Sequence, residues 1–341
     1  MSTPLTVVGA PGSPYTRKLR AAMRYRQIPH RFVIRNSKSD HDIPDVPVAL
    51  IPVLVVPGEA GAAPTAAFDT TPLIRRLEAL HSGRSVVPPD PGLAFIDALL
   101  EDYADEWVTK MMFHYRWAYQ ADIDKAGSIL PRWSRVNVPE DAVSQFSKMI
   151  TERQVGRLWV VGSNQTTGPV IEASYRRLLE RLDAHLTTSR FVMGARPGAA
   201  DFGLYGQLTQ LAAFDPTPAA VTLEEAPRVA AWVDLVEELS GLEPADSDWM
   251  PRDAVPESFR ALLAEIGRVY VPFLLANAAA LAQSAEKVEC EIDGRPWLQR
   301  PFPYQGKCLG WLREGHAALG GKGHQALGAI LAGTGCEPLF A

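Results

Sequence analysis

Cysteine is scarce in this chain of 341 residues, and its distribution excludes two kinds of site. Cys290, Cys308 and Cys336 are odd in number, widely spaced and confined to the last fifth of the chain. A disulfide framework needs paired cysteines, and a zinc site needs closely spaced ligands. We therefore expect buried thiols, and the seven histidines indicate no metal site either.

Long apolar runs and basic blocks are also missing. No apolar run reaches the about eighteen residues of a transmembrane helix, and residues 1–10 lack the features of a signal peptide. A net charge of -5 without a Lys/Arg-rich block argues against nucleic-acid or membrane binding. The remaining composition, 47% hydrophobic and 21% charged, is typical of a globular protein of two or three domains. We expect it in the cytoplasm.

The first 84 residues alternate strand-like and helix-like segments. Apolar, β-branched runs predict strands, and apolar residues at helical spacing predict helices. In chain order they are a strand at 5–8, a helix at 15–26, strands at 31–35, 50–56 and 66–68, and a helix from 69 to 80. The order βαβ, loop, ββα predicts an α/β domain over residues 1–84.

A turn-rich stretch at 82–92 is the clearest domain boundary, and the pattern beyond it is helical. We predict an all-α domain over 92–250 and a mostly helical extension over 251–341, with a hairpin around Asp293-Gly294. Helices are predicted at 93–119, 139–156, 169–188, 199–214, 227–238 and 256–286, then at 304–319 and 325–331. The stretch after residue 121, which carries Trp133, is expected to be less regular.

The turn between the first strand and the first helix carries a hydroxyl group. Ser13 lies just before the first helical turn, and Pro14 occupies a position where proline fits. The unpaired N–H groups and the dipole at a helix N-terminus favour a bound anion. The same two residues also fit a plain N-cap followed by a first-turn proline.

Four local motifs follow one another along the chain. They are Ser13-Pro14-Tyr15-Thr16-Arg17-Lys18, Ile51-Pro52-Val53-Leu54, Asp69-Thr70-Thr71-Pro72-Leu73-Ile74, and Gly194-Ala195-Arg196-Pro197-Gly198-Ala199-Ala200-Asp201-Phe202. In this order and spacing the chain resembles a cytosolic glutathione transferase over roughly residues 5–240. The resemblance implies a thioredoxin-like N-terminal domain that binds glutathione as co-substrate, and an all-helical domain that completes a pocket for an electrophile. It also implies a homodimer.

The resemblance assigns the first motif to the thiol of glutathione. A thiol with a pKa of about 8.5 becomes a good nucleophile only when it ionises. A hydrogen bond donated by the Ser13 hydroxyl, at a helix N-terminus, would favour the thiolate. Tyr15 is the rival donor, although its position two residues further on favours packing of its ring in the core.

The second and third motifs would hold the tripeptide. Ile51-Pro52 matches the family's cis-proline turn, whose backbone pairs with the cysteinyl unit, although a proline at the start of a strand is the simpler interpretation. Thr70 and the helix start suit the γ-glutamyl carboxylate, while Asp69 suits its amine, and both residues also fit a plain N-cap pair. The candidates for the glycyl carboxylate are Arg35, Lys38 and His41.

The electrophile would lie between the Ser13 turn and the long helix. The candidate side chains are Met112, Tyr115, Arg116 and Tyr119, which core packing explains equally well. In the fourth motif, Gly198 stands where the family usually has a Ser or Thr cap. Asp201, three residues later, can accept a hydrogen bond from the backbone at this cap.

Three functions follow from these patterns. The first is a glutathione transferase acting on a small hydrophobic electrophile. The second is a glutathione-dependent reductase, which the absence of cysteine at Ser13 and Thr16 disfavours because the related glutaredoxins carry cysteines there. The third is a non-catalytic binding or scaffold protein of the same fold. The insert at 121–167 and the chain after residue 246 exceed the usual family length and could cover the electrophile site, form a dimer surface or bind another protein.

Overall fold

A computed structural model of the chain describes residues 4–36, 43–58, 62–134 and 136–340. The N-terminal domain holds one sheet with strand order β2-β1-β3-β4. Its strands are β1 (Leu5–Gly9), β2 (His30–Ile34), β3 (Val53–Val56) and β4 (Thr65–Phe68). Strand β1 is parallel to β2 and antiparallel to β3, which is antiparallel to β4. With α1 (Pro14–Tyr25) and α2 (Thr70–Leu80), this is the predicted βαβ-ββα order.

Helix α1 begins as the sequence predicts. The Ser13 Oγ accepts a hydrogen bond from the backbone N–H of Thr16 at 3.2 Å, and Pro14 is the first helical residue. The N-cap interpretation is therefore confirmed. The same turn is covered by Trp133, because a Cβ atom at Gly12 would lie 1.7 Å from a carbon of its ring. Only glycine permits this close approach.

The chain is helical beyond the linker, as predicted. The next helices are α3 (Pro91–Tyr103), α4 (Thr109–Ala118), α5 (Gln120–Ser134), α6 (Glu140–Val155), α7 (Gly168–His185), α8 (Ala199–Leu208), α9 (Pro216–Glu225) and α10 (Pro227–Val236). A π-helical segment, Ala104–Val108, joins α3 to α4 without a break. The long helix predicted over 93–119 is therefore one continuous run.

The expectation of a less regular insert after residue 121 is wrong in its first part, since α5 occupies it. Pro131 lies inside α5 and weakens the helical signal of the sequence. Trp133, in the last turn, packs against Phe214 with ring centres 5.1 Å apart. Tertiary packing thus supports a helix that local propensity does not predict.

The C-terminal extension packs against the α3–α4 run. It comprises α11 (Glu257–Glu265), a π-helical segment (Ile266–Tyr270), α12 (Val271–Ala282), β5 (Val288–Ile292), β6 (Arg295–Gln299), α13 (Pro303–Ala317) and α14 (Gly321–Leu331). The predicted hairpin is the antiparallel pair β5 and β6. The ring of Trp107 lies 5.8 Å from that of Phe273 and 5.2 Å from that of Trp297, measured between centres. The domain limits drawn from the sequence stay predictions.

The sequence predicts buried, unpaired cysteines. Cys308 and Cys336 are buried free thiols, as predicted, and Cys290 is a half-buried free thiol. Asp201 accepts a hydrogen bond from the backbone N–H of Gly198 at 2.9 Å, as predicted. In the ranges described above, no group of three His, Cys, Asp or Glu residues is placed to hold a metal ion. None of the helices there is long and apolar enough to cross a membrane.

A buried ion cluster ties α1 to α3. The Lys18 ammonium, 1% exposed, donates to Glu101 at 2.6 Å and to Asp105 at 2.5 Å. The Thr71 hydroxyl, near the start of α2, donates to Glu101 at 3.2 Å. Charges out of water are stable only when they are paired and hydrogen-bonded. The cluster therefore fixes three helices that surround the site described next.

Candidate active site at the cis-proline edge

A cavity of about 600 Å³ lies between the N-terminal sheet, the α3–α4 run and the extension. From the N-terminal domain it is lined by Tyr15, Ile51, Pro52, Asp69 and Thr70, with Val48, Leu50 and Phe68. The helical domain contributes Asp105, Glu106, Thr109, Lys110, Val160 and Val161, and the extension contributes Phe302, Tyr304, Gln305 and Lys307. Its size and its apolar lining with a few convergent polar groups are typical of small-molecule sites. Four of the predicted glutathione-binding residues are thus brought together in one cavity.

The edge next to β3 has the predicted backbone. The peptide bond between Ile51 and Pro52 is cis, and β3 begins directly after it at Val53. The simpler interpretation, an ordinary proline at the start of a strand, is therefore wrong. Thr70 is 3% exposed and is the first residue of α2, so its backbone N–H belongs to the unpaired group at a helix start.

Asp69 is not the plain N-cap that the sequence also allowed. Its φ is +77°, and its side chain makes no capping hydrogen bond. Instead, its Oδ2 accepts a hydrogen bond from the Tyr304 hydroxyl at 2.6 Å. Positive φ in a non-glycine residue is a strained conformation that clusters at functional sites. The carboxylate of Asp69 therefore faces the cavity and is shared with the extension.

Tyr15 contributes a hydroxyl to the cavity lining. It donates to the backbone carbonyl oxygen of Asp105 at 2.8 Å and lies 3.2 Å from Thr109 Oγ1. Burial, followed by the charges of Glu106 and Asp105, raises the pKa of Tyr15 well above its usual value, so the group keeps its proton. The expectation that its ring packs away in the core is wrong. Ser13 is not among the described lining residues, and its role as thiol donor stays a prediction.

Arg35 is the one candidate for the glycyl carboxylate that lies within the described residues. Lys38 and His41 lie outside the described residues, whereas Arg35 follows β2, its backbone N–H donating to Gly9 at 2.8 Å. A cation that the sequence analysis missed, Lys307 of α13, lines the cavity. No motif marked it, because it belongs to the extension that the family resemblance does not cover.

The four residues predicted for the electrophile lie elsewhere. Met112, Tyr115 and Arg116 are at most 6% exposed, and Arg116 binds both carboxylate oxygens of Asp215 at 2.8–3.1 Å. Tyr115 stacks on Tyr119, whose hydroxyl donates to Glu172 at 2.6 Å. Of the described residues that line the cavity, none is one of these four. Arg116 also donates to the backbone oxygen of Gly12 at 3.4 Å, next to the Ser13 turn. Contact of these four residues with an electrophile stays a prediction.

Two charged residues of the α3–α4 run were also missed. Burial lowers the pKa of the Lys110 amine to about 7, against the opposing charge of Glu106. Burial, then the charge of Asp102, raises the pKa of the Glu106 carboxyl well above its usual value. Gln305 of α13 donates to Glu106 at 3.0 Å. Neither residue stands out in the sequence, because the α3–α4 run has apolar residues on more than one face, a pattern typical of a helix that packs on two sides.

Two family models match this chain, one in its N-terminal domain and one in its helical domain. A family model described as the glutathione S-transferase N-terminal domain matches residues 7–85, and one for the C-terminal domain of that family matches residues 148–235. A search among curated proteins finds no match.

Several solved structures are similar in fold. A glutathione transferase family member from Pseudomonas fluorescens, with two glutathione bound, is 15% identical over 69% of this chain and 92% of its own, with a TM-score of 0.42. One from Burkholderia graminis, with two glutathione molecules per subunit, is 13% identical over 76% and 87%, with a TM-score of 0.43. The Tau class enzyme from mango is 17% identical over 77% and 97%, with a TM-score of 0.41.

The two domain matches agree with the described architecture. The first covers the four-stranded sheet with α1 and α2, and the second covers α7 to α10. Neither reaches α11 to α14, so the extension is additional to both matched domains. With its N-terminal and C-terminal domains both present and in that order, the chain belongs to the glutathione S-transferase family.

Proposed function

We propose that this protein is a glutathione transferase, which binds glutathione along the cis-proline edge and activates its thiol for attack on a small hydrophobic electrophile. The observation that carries the proposal is that a single cavity contains Ile51, Pro52, Asp69, Thr70 and a buried hydroxyl. The Ile51 backbone would pair with the cysteinyl unit like an added strand. Thr70 and the start of α2 would bind the γ-glutamyl carboxylate, and Asp69 would bind its amine.

The thiolate needs a donor, and we propose Tyr15 for this role. Its protonated hydroxyl lies in the cavity wall, and it would exchange its hydrogen bond to the backbone oxygen of Asp105 for one to the thiolate. Ser13, which accepts the cap hydrogen bond of α1, is not among the described residues that line the cavity. A hydrogen bond to a charged group contributes roughly 1.5–3 kcal/mol, which is enough to lower a thiol pKa by one or two units. The apolar side chains of Val160, Val161 and Phe302 would contact the electrophile.

Replacing Tyr15 by phenylalanine tests the donor. We expect kcat/KM for conjugation of glutathione to a panel of electrophiles to fall about tenfold or more, through loss of one hydrogen bond to the thiolate. Ser13→Ala is the matched hydroxyl removal, and it should mainly cost about 1 kcal/mol of stability as a lost N-cap. If instead Ser13→Ala abolishes conjugation while Tyr15→Phe does not, the serine is the donor. If wild-type protein binds no glutathione in calorimetry at millimolar concentration, the proposal fails.

A non-catalytic binding protein is the second candidate, and one contact favours it. The Tyr304 hydroxyl already donates to Asp69 Oδ2 and so competes with the γ-glutamyl amine for this carboxylate. A site that is partly filled by its own chain would bind glutathione weakly. The same calorimetry, paired with an activity assay on the panel, separates weak binding with turnover from binding without turnover.

Tyr304→Phe should therefore tighten glutathione binding. The phenyl ring keeps the packing but frees the Asp69 carboxylate for the amine, so we expect the Kd for glutathione to fall by about tenfold. The control ligand is a glutathione analogue without the γ-glutamyl amine, whose Kd should be the same for wild type and variant. Equal shifts for both ligands would show that Asp69 does not bind the amine.

The proposal also covers the oligomeric state of the protein and its location in the cell. Family resemblance supports a homodimer, which light scattering on the purified full chain would check. The composition supports a cytoplasmic location. We propose no nucleic-acid or membrane partner, in line with the net charge of -5.

A further inference from the structure

Helix α6, in the insert at 121–167, has an exposed apolar face. It packs on α5 at Gly127, where an added Cβ atom would lie 2.8 Å from Ser147 Oγ and 3.0 Å from Thr151 Cγ2. Of its sixteen residues, Val143 alone is buried. Apolar side chains that stand singly on a surface are normal, but a concentration of them marks an interaction site. Five of the ten large apolar side chains exposed in the described residues lie in this helix or within four residues of it: Val136, Phe146, Met149, Val155 and Trp159.

Two of these side chains belong to a stripe along the helix. The stripe consists of Ala142, Phe146, Met149 and Arg153, which are spaced by four, three and four residues and therefore share one side of α6. Phe146 is 39% exposed and Met149 is 55% exposed. Alternation of three and four residues is the spacing of a seam between two helices. The stripe therefore fits another helix that lies along it.

The two ends of the stripe carry opposite charges. Asp141 lies in the first turn of α6 and Arg153 in the last. Both are exposed, and among the described residues no side chain forms a hydrogen bond or an ion pair with either. Glu140, Lys148 and Glu152 differ, because each has an ion-pair partner in its own chain. A free carboxylate at one end and a free guanidinium at the other are complementary to the same helix in the opposite direction.

We infer that α6 is a docking surface for a second copy of this chain, whose own α6 lies antiparallel to it about a twofold axis. In such an interface, residue i of one copy faces residue j of the other, and j faces i. With the axis between Phe146 and Met149, the ring of Phe146 in each copy packs on the sulfur of Met149 in the other. At both ends of the seam, Asp141 of one copy lies beside Arg153 of the other.

The contact leaves the candidate active site open. Of the described residues that line the glutathione cavity, none belongs to α6. The insert would therefore serve assembly and would not cover the site. This inference names the contact face of the proposed homodimer, rests on that part of the proposed function, and does not depend on glutathione binding.

Sedimentation equilibrium of the full chain measures this dimer directly. A helix of sixteen residues is about 24 Å long, so the contact is small for a protein interface and we expect a micromolar Kd. Met149→Glu places two carboxylates at the centre of the seam and should weaken the dimer by about a hundredfold. Leu223→Glu is the matched control, because Leu223 is an apolar residue of α9 that is 63% exposed, and it should leave the Kd unchanged.

Charge reversal tests the antiparallel arrangement, and it also decides the case if Met149→Glu does not fold. Asp141→Arg places two cations at each end of the seam, and Arg153→Asp places two carboxylates there. Each variant alone should dimerise about tenfold more weakly than wild type, because like charges then face each other. An equimolar mixture of the two variants should form a heterodimer as tight as the wild-type dimer, because every end again pairs opposite charges.

Three results would overturn the inference. They are a wild type that stays monomeric at millimolar concentration, a dimer whose Kd Met149→Glu leaves unchanged, and a mixture of charge variants no tighter than its components. In the second case the proposed homodimer would form through another face. None of these results bears on glutathione binding, whose absence would instead overturn the transferase function.

Discussion

Replacing Lys18 by methionine is expected to lower the free energy of unfolding by about 3–5 kcal/mol. The substitution removes the cation between Glu101 and Asp105, which lie at 2.6 and 2.5 Å from it, and leaves two carboxylates facing each other out of water. The side chain is 1% exposed, so water cannot replace the lost contacts. Urea denaturation followed by circular dichroism at pH 8, where carboxylates ionise, measures the loss.

The control is a cation of an exposed pair. Arg132 contacts Glu140 at 2.7 Å, but the two side chains are 31% and 79% exposed, so Arg132→Met should cost no more than about 1 kcal/mol. Adding Glu101→Gln and Asp105→Asn to Lys18→Met should restore part of the stability, because the charges left unpaired are then gone. A loss for Lys18→Met no larger than that for Arg132→Met would contradict the expected role of the cluster.

Asp102→Asn is expected to stabilise the protein at pH 8 but not at pH 4. Burial raises the pKa of the half-buried Asp102 carboxyl to about 7. The folded state therefore holds a proton that the unfolded state has lost over the window from about pH 4 to 7. The stability that this proton contributes is complete below the window and is lost as the pH rises through it, by up to about 1.4 kcal/mol per pH unit.

Asparagine keeps an acceptor for the Tyr270 hydroxyl, which lies 2.6 Å from Asp102, but carries no charge. The free energy of unfolding of the variant should therefore rise relative to that of wild type as the pH increases. We expect a difference of roughly 1–3 kcal/mol at pH 8, which allows for partial access of water to the side chain. Urea titrations at pH 4, 6 and 8 give the profile. Asp253→Asn, at an 87% exposed side chain, should show no such trend. A difference between Asp102→Asn and wild type that is independent of pH would rule out the raised pKa.

Local patterns were enough to predict most of the fold. Apolar spacing, the Ser13 cap and the Asp201 bond to Gly198 each depend on residues near one another in sequence, and each was predicted. The cis peptide bond before Pro52 was implied by the family resemblance and not by the local pattern, which also fits an ordinary proline at the start of a strand. Helix α5 was not predicted, because a proline inside the segment, Pro131, weakens its helical pattern. The contact that stabilises it, between Trp133 and Phe214, joins residues far apart in sequence.

In the candidate site, too, only the residues that belong to sequence motifs were predicted. Ile51, Pro52, Asp69 and Thr70 belong to motifs and were found, whereas the residues of the facing wall were not. Lys110 acquires its properties from Gln299 and Phe273, which come from separate elements far along the chain. No spacing rule connects such residues, so their chemistry emerges only from tertiary packing.

The hydrogen bond between Tyr304 and Asp69 joins residues 235 positions apart. At a translation rate of about 5–20 residues per second, the second partner leaves the ribosome on the order of tens of seconds after the first. Until then the cavity lacks the wall that Phe302, Tyr304, Gln305 and Lys307 provide. The nascent chain can thus form its sheet before the segment that closes the cavity has left the ribosome.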